Sequence, residues 1–117
     1  MESQDAVGAL SALAHPARLE VFRLLVQAGP EGLAAGDIAR AIGSRANTLS
    51  TNLAILAGAG LVASRRDGRS IIYSAGYDTM RRLLGFLMED CCGGRAEICA
   101  PLLDAASRAC VAEGAAG

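Results

Sequence analysis

The amino-acid sequence predicts a mainly α-helical domain in which a pair of short helices is followed by a two-stranded hairpin. Three observations lead to this prediction. Apolar residues recur at helical spacing through most of residues 1–88. Gly43 lies between two of these apolar segments, as in a tight turn joining two helices. Asp67-Gly68, a strong signal for a two-residue turn, separates two segments that we interpret as strands.

The first two helices are separated by His15-Pro16. The first is predicted from about Gln4 to Ala14, on an apolar stripe formed by Val7, Leu10 and Leu13. Pro16 suits the first turn of the second helix, where its missing N–H has no helical partner, and His15 is expected to cap that helix. The buried stripe of the second helix is predicted to be Leu19, Phe22, Leu25 and Val26. A loop over residues 29–32 follows.

The third and fourth helices form the predicted helix-turn-helix. The third helix runs from Ala35 to Ile42, with Ile38 and Ile42 directed inward, and Gly43 suits a left-handed cap. Ser44 is expected to cap the fourth helix. The buried face of that helix is predicted to be Leu49, Leu53 and Leu56, and its end is predicted at Gly58 and Gly60.

The hairpin and a fifth helix complete this part of the chain. Strands are predicted from Leu61 to Arg66 and from Arg69 to Ala75, with Asp67-Gly68 as the turn because both positions tolerate positive φ. A hairpin directly after a helix-turn-helix is a wing, so the predicted fold is a winged helix-turn-helix. The fifth helix, Tyr77 to Met88, has an apolar stripe wide enough to face both its own core and a second subunit, made of Tyr77, Met80, Leu83, Leu84 and Leu87.

Two domains of different character are predicted. Residues 1–90 form the winged-helix domain, which binds DNA and dimerises through its terminal helices. Residues 91–117 form a cysteine-containing sensing segment and a tail. Within this second segment Pro101 is expected to open a short helix, with Leu103, Ala106 and Cys110 on one face.

The charged residues are distributed unevenly along the chain. The net charge is −1, but the segment from Arg40 to Arg82 has seven Arg and two Asp, whereas the segment from Leu83 to the end has two Arg and five acidic residues. The middle of the chain is therefore basic, which favours a nucleic-acid partner despite the overall net charge, and the tail is acidic.

The composition indicates the cellular compartment of the protein and the size of its hydrophobic core. At 117 residues and 52% hydrophobic content, of which little is aromatic, the chain has a modest aliphatic core that dimerisation would enlarge. No apolar run approaches the roughly 20 residues that cross a bilayer, so no membrane partner is expected. The acidic N-terminus does not resemble a signal peptide. We therefore expect a cytoplasmic protein whose four cysteines act in metal or redox chemistry.

The DNA-contacting residues are predicted from the geometry of the helix-turn-helix. Its second helix enters the major groove, and the N-terminal residues of that helix meet the base edges. Asn pairs bidentately with adenine and Arg with guanine, whereas Ser more often contacts phosphate. The predicted DNA-binding residues of this helix are Ser44, Arg45, Asn47, Thr48, Ser50, Thr51 and Asn52, and those of the wing are Arg65, Arg66 and Arg69. A solvated polar helix and an ordinary charged hairpin are the simpler alternatives.

Three thiols lie close together beyond the fifth helix. Cys91 and Cys92 are adjacent, Gly93-Gly94 follows, and Cys99 completes the group. Thiolates favour soft ions, and two glycines allow the adjacent pair to leave regular helical geometry. The residues alone leave three interpretations open: a shared soft-ion site, a redox pair, or incidental tail cysteines. Cys110 is interpreted as a packing residue, because buried free Cys behaves as a small hydrophobe.

Several motifs resemble the ArsR/SmtB family of winged-helix repressors. Residues 13–25 resemble the second-helix signature of the family. Residues 49–56 and 59–62 resemble its recognition helix and the exit from that helix, and residues 67–73 resemble its wing. The resemblance covers roughly residues 5–90. It implies a homodimer that represses an operon at a palindromic operator and releases DNA when an ion binds. Many members have His where this chain has Asn52, which implies a different base preference.

The resemblance also bears on which ion is sensed. Cadmium- and lead-type members use cysteines in the third helix, and zinc-type members use Asp and His along the fifth helix. This chain has no Cys in the third helix, and its one His is His15. A vicinal Cys pair with one further Cys just past the fifth helix resembles the arsenic-responsive subgroup. That likeness implies As(III) or Sb(III) as the inducer, bound by Cys91, Cys92 and Cys99, with no organic cofactor.

Other functions are weighed against this hypothesis. A redox-sensing repressor of the same fold would pair Cys91 or Cys92 with Cys99 on oxidation. A zinc- or cadmium-responsive repressor would need Cys110 as a fourth thiolate. A thiolate carrier that never touches DNA is disfavoured by the basic segment. An enzyme is not expected, since the chain has no Lys, one His and no recognisable carboxylate pair.

Overall fold

Residues 1–88 form five helices and a small antiparallel sheet in the computed structural model, which also describes residues 97, 100, 101, 104 and 105. The strand order in the sheet is β1-β3-β2. A first compact unit spans Met1–Leu83, and a second begins at Leu84, inside the last of these helices. The elements in chain order are α1 (Ser3–Leu13), α2 (Pro16–Ala28), β1 (Leu33–Ala34), α3 (Ala35–Ile42), α4 (Ala46–Gly58), β2 (Val62–Asp67), β3 (Ser70–Ala75) and α5 (Tyr77–Met88). The predicted mainly helical winged helix-turn-helix is confirmed.

Helix α1 buries a stripe of alanines, which the sequence prediction did not choose. Ala6, Ala9 and Ala12 face α2 and α4 and are almost completely buried. Val7 is 63% exposed and Leu10 is 42% exposed, so the stripe that predicted this helix is not its buried face. Both stripes have helical spacing, and the small alanine side chains allow α1 to lie close to its neighbours. The larger apolar side chains are left on the outer surface.

Helix α2 begins as predicted but buries a slightly different face. His15 caps the helix, with its Nδ1 accepting a hydrogen bond from the Ala17 amide at 3.2 Å, and Pro16 follows at the first helical position. Phe22 and Leu25 are buried as predicted. Leu19 is 44% exposed and Val21 is buried in its place, so the helix is rotated relative to the predicted stripe.

The turn between α3 and α4 has the predicted left-handed glycine but a different cap. Gly43 has a φ of 68° and ends α3, and Ile38 is fully buried. The cap of α4 is Arg45, not Ser44, and its side chain makes no capping bond. The Ser44 hydroxyl instead donates to the carbonyl oxygen of Arg45 at 3.0 Å. The predicted leucine face of α4 is confirmed, with exposures of 2% or less for Leu49, Leu53 and Leu56.

The sheet has one more strand than predicted. β1 pairs with β3 through Leu33 and Tyr73, on the side of β3 opposite β2. A strand of two residues is too short to show an alternating pattern, so β1 could not be predicted from periodicity. The β2–β3 turn is also displaced by one residue. Asp67 pairs with Ser70, which leaves Gly68 and Arg69 as the two turn residues, and Gly68 has the required positive φ of 63°.

Helix α5 has the predicted bounds and is anchored at its start. The Tyr77 hydroxyl donates to the Val26 carbonyl oxygen at 3.1 Å, which joins α5 to the end of α2. Leu83 is buried, as predicted. Leu84 and Leu87 are 54% and 50% exposed in the single chain. These two leucines therefore remain as apolar surface on the outer part of the predicted stripe.

The predictions for the cysteines and for most of the tail lie outside the described residues. They concern Cys91, Cys92, Cys99, Cys110, the glycine pair between them, and Leu103 and Ala106. Ala100 and Pro101 are both helical. In the part of the chain that the structure describes, no helix is long and apolar enough to span a bilayer.

Candidate nucleic-acid interface

The outer face of α4 presents a group of polar side chains opposite its buried leucines. Because Leu49, Leu53 and Leu56 fix one side of the helix in the core, the opposite side must face solvent. The exposed residues at the start of this helix are Arg45, Ala46, Asn47, Thr48, Ser50 and Thr51. Ser44, in the turn before it, is half-buried. Six of the seven residues predicted to contact DNA from this segment therefore lie at or near one accessible surface.

Two hydrogen bonds orient the polar side chains of this surface. Asn47 Oδ1 accepts from the amide of Thr48 at 2.9 Å, and the Thr51 hydroxyl donates to the Asn47 carbonyl oxygen at 3.2 Å. A carbonyl-type oxygen has two acceptor sites, and the Asn47 amide nitrogen keeps its two donors. Asn47 can therefore still form the bidentate pair with adenine that was predicted for it.

Asn52 is placed differently from its prediction. Its exposure is 6%, which makes it the buried polar residue of the described core. Its Oδ1 accepts a hydrogen bond from Arg18 Nη1 at 3.5 Å. A side chain with so little exposed surface would have to leave this position to reach a base edge, and DNA contact by Asn52 stays a prediction. Arg18 was not predicted as a functional residue, and its charge does not distinguish it in the sequence because Glu20 and Arg23 of the same helix are also charged.

The two neighbouring arginines of β2 lie in different surroundings. Arg65 donates to the carbonyl oxygens of Pro30, at 3.4 Å, and Glu31, at 2.7 Å, and so holds the loop before β1. Arg66 lies on the other face of the hairpin, opposite Ile71 of β3. Arg66 and Arg69 are exposed and make no hydrogen bond to any residue that the structure describes. They therefore keep their donors for phosphates, whereas Arg65 has an intramolecular role.

Other arginines of the basic segment are paired with acids. Arg40 pairs with Asp37 on α3, and Asp78 on α5 accepts from Arg81 at 2.5 Å and pairs with Arg82 at 3.1 Å. Exposed pairs of this kind contribute little to stability, but they offset local positive charge. Within residues 1–88 the arginines of the helix-turn-helix and wing that form no ion pair are Arg45, Arg65, Arg66 and Arg69, and of these Arg65 is held by the loop carbonyls.

The difference between Arg65 and Arg66 gives a prediction about salt dependence. Arg66→Gln should weaken DNA binding and reduce the slope of log affinity against log salt by about one, because one phosphate contact is lost. Arg65→Gln is the matched control. It should lower the free energy of unfolding through the lost loop contacts and leave the slope unchanged. Fluorescence polarisation at several salt concentrations measures the slope, and equal slope changes for both variants would contradict the assignment.

No group of three His, Cys, Asp or Glu side chains converges on a common point within the described ranges. The one His is already engaged through its capping bond to Ala17. The predicted ion ligands lie beyond residue 88.

Comparison with known proteins agrees with this geometry. A family model described as a helix-turn-helix domain matches residues 13–65. The chain is 36% identical over 88 residues to the nodulation protein NolR of Rhizobium meliloti, covering 75% of this chain and 70% of that protein. A homodimeric winged helix-turn-helix DNA-binding domain from Mycobacterium bovis, described as a possible ArsR-family transcriptional regulator, is 30% identical with a TM-score of 0.61, covering 74% of this chain and 81% of that one. Reduced HlyU from Vibrio cholerae is 25% identical with a TM-score of 0.60, covering 77% and 92%.

Proposed function

This chain belongs to the ArsR/SmtB family of winged helix-turn-helix transcriptional repressors, and we propose that it releases its operator when trivalent arsenic or antimony binds Cys91, Cys92 and Cys99. The observation that carries the proposal is the spacing of these thiols directly after α5. The helix-turn-helix and wing bind DNA. The thiols that follow α5 bind the ion that triggers release.

The donor set fits this inducer. Trivalent arsenic is held by three thiolates in a pyramidal arrangement, and soft ions prefer sulfur over the oxygen and nitrogen ligands found elsewhere in the chain. Three cysteines within nine residues supply that number. Within residues 1–88 no competing three-ligand group is present, and His15 is occupied as a helix cap.

A homodimer on a palindromic operator is the form in which we expect the protein to act. Two recognition helices of a dimer meet half-sites about 34 Å apart, one turn of DNA. Val7 and Leu10 on α1, and Leu84 and Leu87 on α5, are apolar and exposed in the single chain. Exposed apolar side chains on two helices favour a protein partner, and a second copy would cover them.

Release requires the ion to favour the conformation that binds DNA weakly. An ion shifts an equilibrium only by its differential affinity for the two states, and typical couplings are roughly 1–3 kcal/mol, or about 5- to 150-fold. The thiols follow directly on the last turn of α5, so binding there is positioned to reorganise the end of that helix. A change in how α5 pairs would alter the spacing of the two recognition helices.

The proposal is tested on a labelled duplex selected by the wild-type protein from a random pool. Arsenite should lower the affinity for this duplex at least about fivefold, the lower end of typical couplings, while zinc and peroxide should leave it unchanged. Fluorescence polarisation with reduced protein gives the affinity in each case. Equal affinity with and without arsenite would overturn the arsenic assignment and leave DNA binding intact.

A thiol redox sensor is the second candidate, favoured by the similarity to a protein studied in its reduced form. In this case Cys91 or Cys92 forms a disulfide with Cys99, and a peroxide accepts the two electrons. Release by peroxide and not by arsenite would support it. A zinc- or cadmium-responsive repressor is the third, and release by zinc or cadmium alone would support a four-thiolate site that includes Cys110.

A further inference from the structure

A buried polar contact joins the recognition helix to the rest of the domain. Asn52 lies one turn after Thr48 on α4, on the side that faces the core, and is 6% exposed. Its partner is Arg18 of α2, 34 residues earlier, at 3.5 Å. Every other buried side chain of the described core is apolar. A polar group in such a place needs a reason, because burial of an amide without a hydrogen bond is costly.

Arg18 also holds the end of α1. Its Nε donates to the carbonyl oxygen of Ala12 at 2.6 Å, in the last turn of that helix. One half-buried guanidinium therefore touches α1 through Ala12 and α4 through Asn52, while its own backbone belongs to α2. Three helices meet at this side chain.

We propose that Arg18 and Asn52 are positioning residues for DNA recognition: together they fix the rotation and axial placement of α4 relative to α1. The proposal rests on the DNA-binding function. Neither residue contacts DNA in this arrangement. They act through Asn47, Thr48 and the other exposed residues of the same helix.

The physical basis is the directionality of hydrogen bonds. The packing of Leu49, Leu53 and Leu56 buries one face of α4, but apolar contacts tolerate small rotations and shifts when volume is conserved. A hydrogen bond to a planar guanidinium has a preferred angle and distance, and the guanidinium is itself fixed by a second bond. Base readout needs hydrogen-bond geometry at the DNA surface, so a small rotation of α4 weakens all of its base contacts together.

The competing interpretation is that Asn52 turns outward and reads a base itself. The two interpretations differ in their specificity profile. A residue that reads one base pair relaxes the preference at that position when it is replaced. A positioning residue weakens binding to the selected duplex without relaxing any single position, and its partner on α2 has the same effect.

The test uses the full-length protein and the selected duplex. Asn52→Leu and Arg18→Met should each weaken binding roughly tenfold, and the double variant should be no weaker than either single variant, because the two residues form one unit. Asn52→Asp keeps the acceptor for Arg18 but loses the donor that adenine recognition needs, so it should retain most of the affinity. Repeating the selection with each variant gives the preference at every base pair, and the wild-type preferences should persist.

The control is Arg23→Met, the same substitution at an exposed position of α2, which should leave affinity within about twofold. Circular dichroism at the assay temperature identifies any variant that has lost its fold, and Asn52→Asp then carries the test. Relaxed preference at one base pair with Asn52→Leu, loss of binding with Asn52→Asp, or wild-type affinity with Arg18→Met would each overturn the proposal.

Discussion

Replacing any one of Cys91, Cys92 and Cys99 with serine should abolish the release of DNA by arsenite and leave DNA affinity without arsenite unchanged. The serine hydroxyl is a hard, protonated ligand at neutral pH, so each substitution removes one of the three soft donors. Because the predicted DNA-binding residues all lie in the preceding domain, the basal affinity is not expected to change. The arsenite effect, about 5- to 150-fold for a typical coupling, should fall below about twofold in all three variants.

Cys110→Ser is the matched control for these substitutions. It makes the same chemical change in the same segment, at a position interpreted as packing, and should keep the full arsenite response. If Cys110→Ser also blocked release, a four-thiolate site would be indicated and the three-thiol assignment would be wrong. A monomethylated arsenical requires two thiols, so Cys99→Ser, which keeps the adjacent Cys91 and Cys92, should still respond to it.

The parts of the fold that were predicted correctly depend on local sequence. The Leu49, Leu53 and Leu56 face was correct because three leucines at helical spacing have no competing stripe on that helix. The His15 cap and the left-handed Gly43 follow from interactions within a few residues. The bounds of α5 were also correct, since its stripe begins directly after the strand that ends at Ala75. In each case the deciding interaction lies within one helix or its cap.

The incorrect predictions concern residues whose neighbours are distant in the sequence. On α1, the spacing of Val7, Leu10 and Leu13 predicted a helix but not its buried face, which is formed by Ala6, Ala9 and Ala12 where α2 and α4 lie against it. β1 exists because β3, about 40 residues later, offers it an edge. Neither choice is contained in the local pattern.

The residues of the candidate site show the same difference between local and long-range interactions. The exposed residues Asn47, Thr48 and Arg66 were predicted from their chemical type and their place in a helix or hairpin, and their exposure agrees with that prediction. Asn52 has the same chemical type as Asn47, but it is buried and accepts a hydrogen bond from Arg18. Arg65 has the same type as Arg66, but the loop carbonyls engage it. Amino-acid type indicates which groups can bind DNA, whereas tertiary contacts decide which of them remain available.

Gly32→Ala should lower the free energy of unfolding by about 3 kcal/mol or more, the largest effect on stability that we expect from one methyl group. Two costs combine at this position. Gly32 has a φ of 70°, in the left-handed region that disfavours a side chain, and a Cβ there would lie 2.2 Å from the Tyr73 carbonyl oxygen. That oxygen belongs to the backbone of β3, so it cannot move without disturbing the β1–β3 pairing.

Gly43→Ala separates the two costs, since Gly43 has a nearly identical φ of 68° with open space around the added methyl group. It should cost only about 1–2 kcal/mol, which is the left-handed conformation alone. Urea unfolding followed by circular dichroism gives both values, and their difference measures the close approach of the loop to β3. Equal destabilisation would mean that β3 yields to the methyl group at little cost. A large difference would show that the short strand β1 is held tightly against the wing. The wing that presents Arg66 to DNA would then be stabilised by the same loop that Arg65 binds.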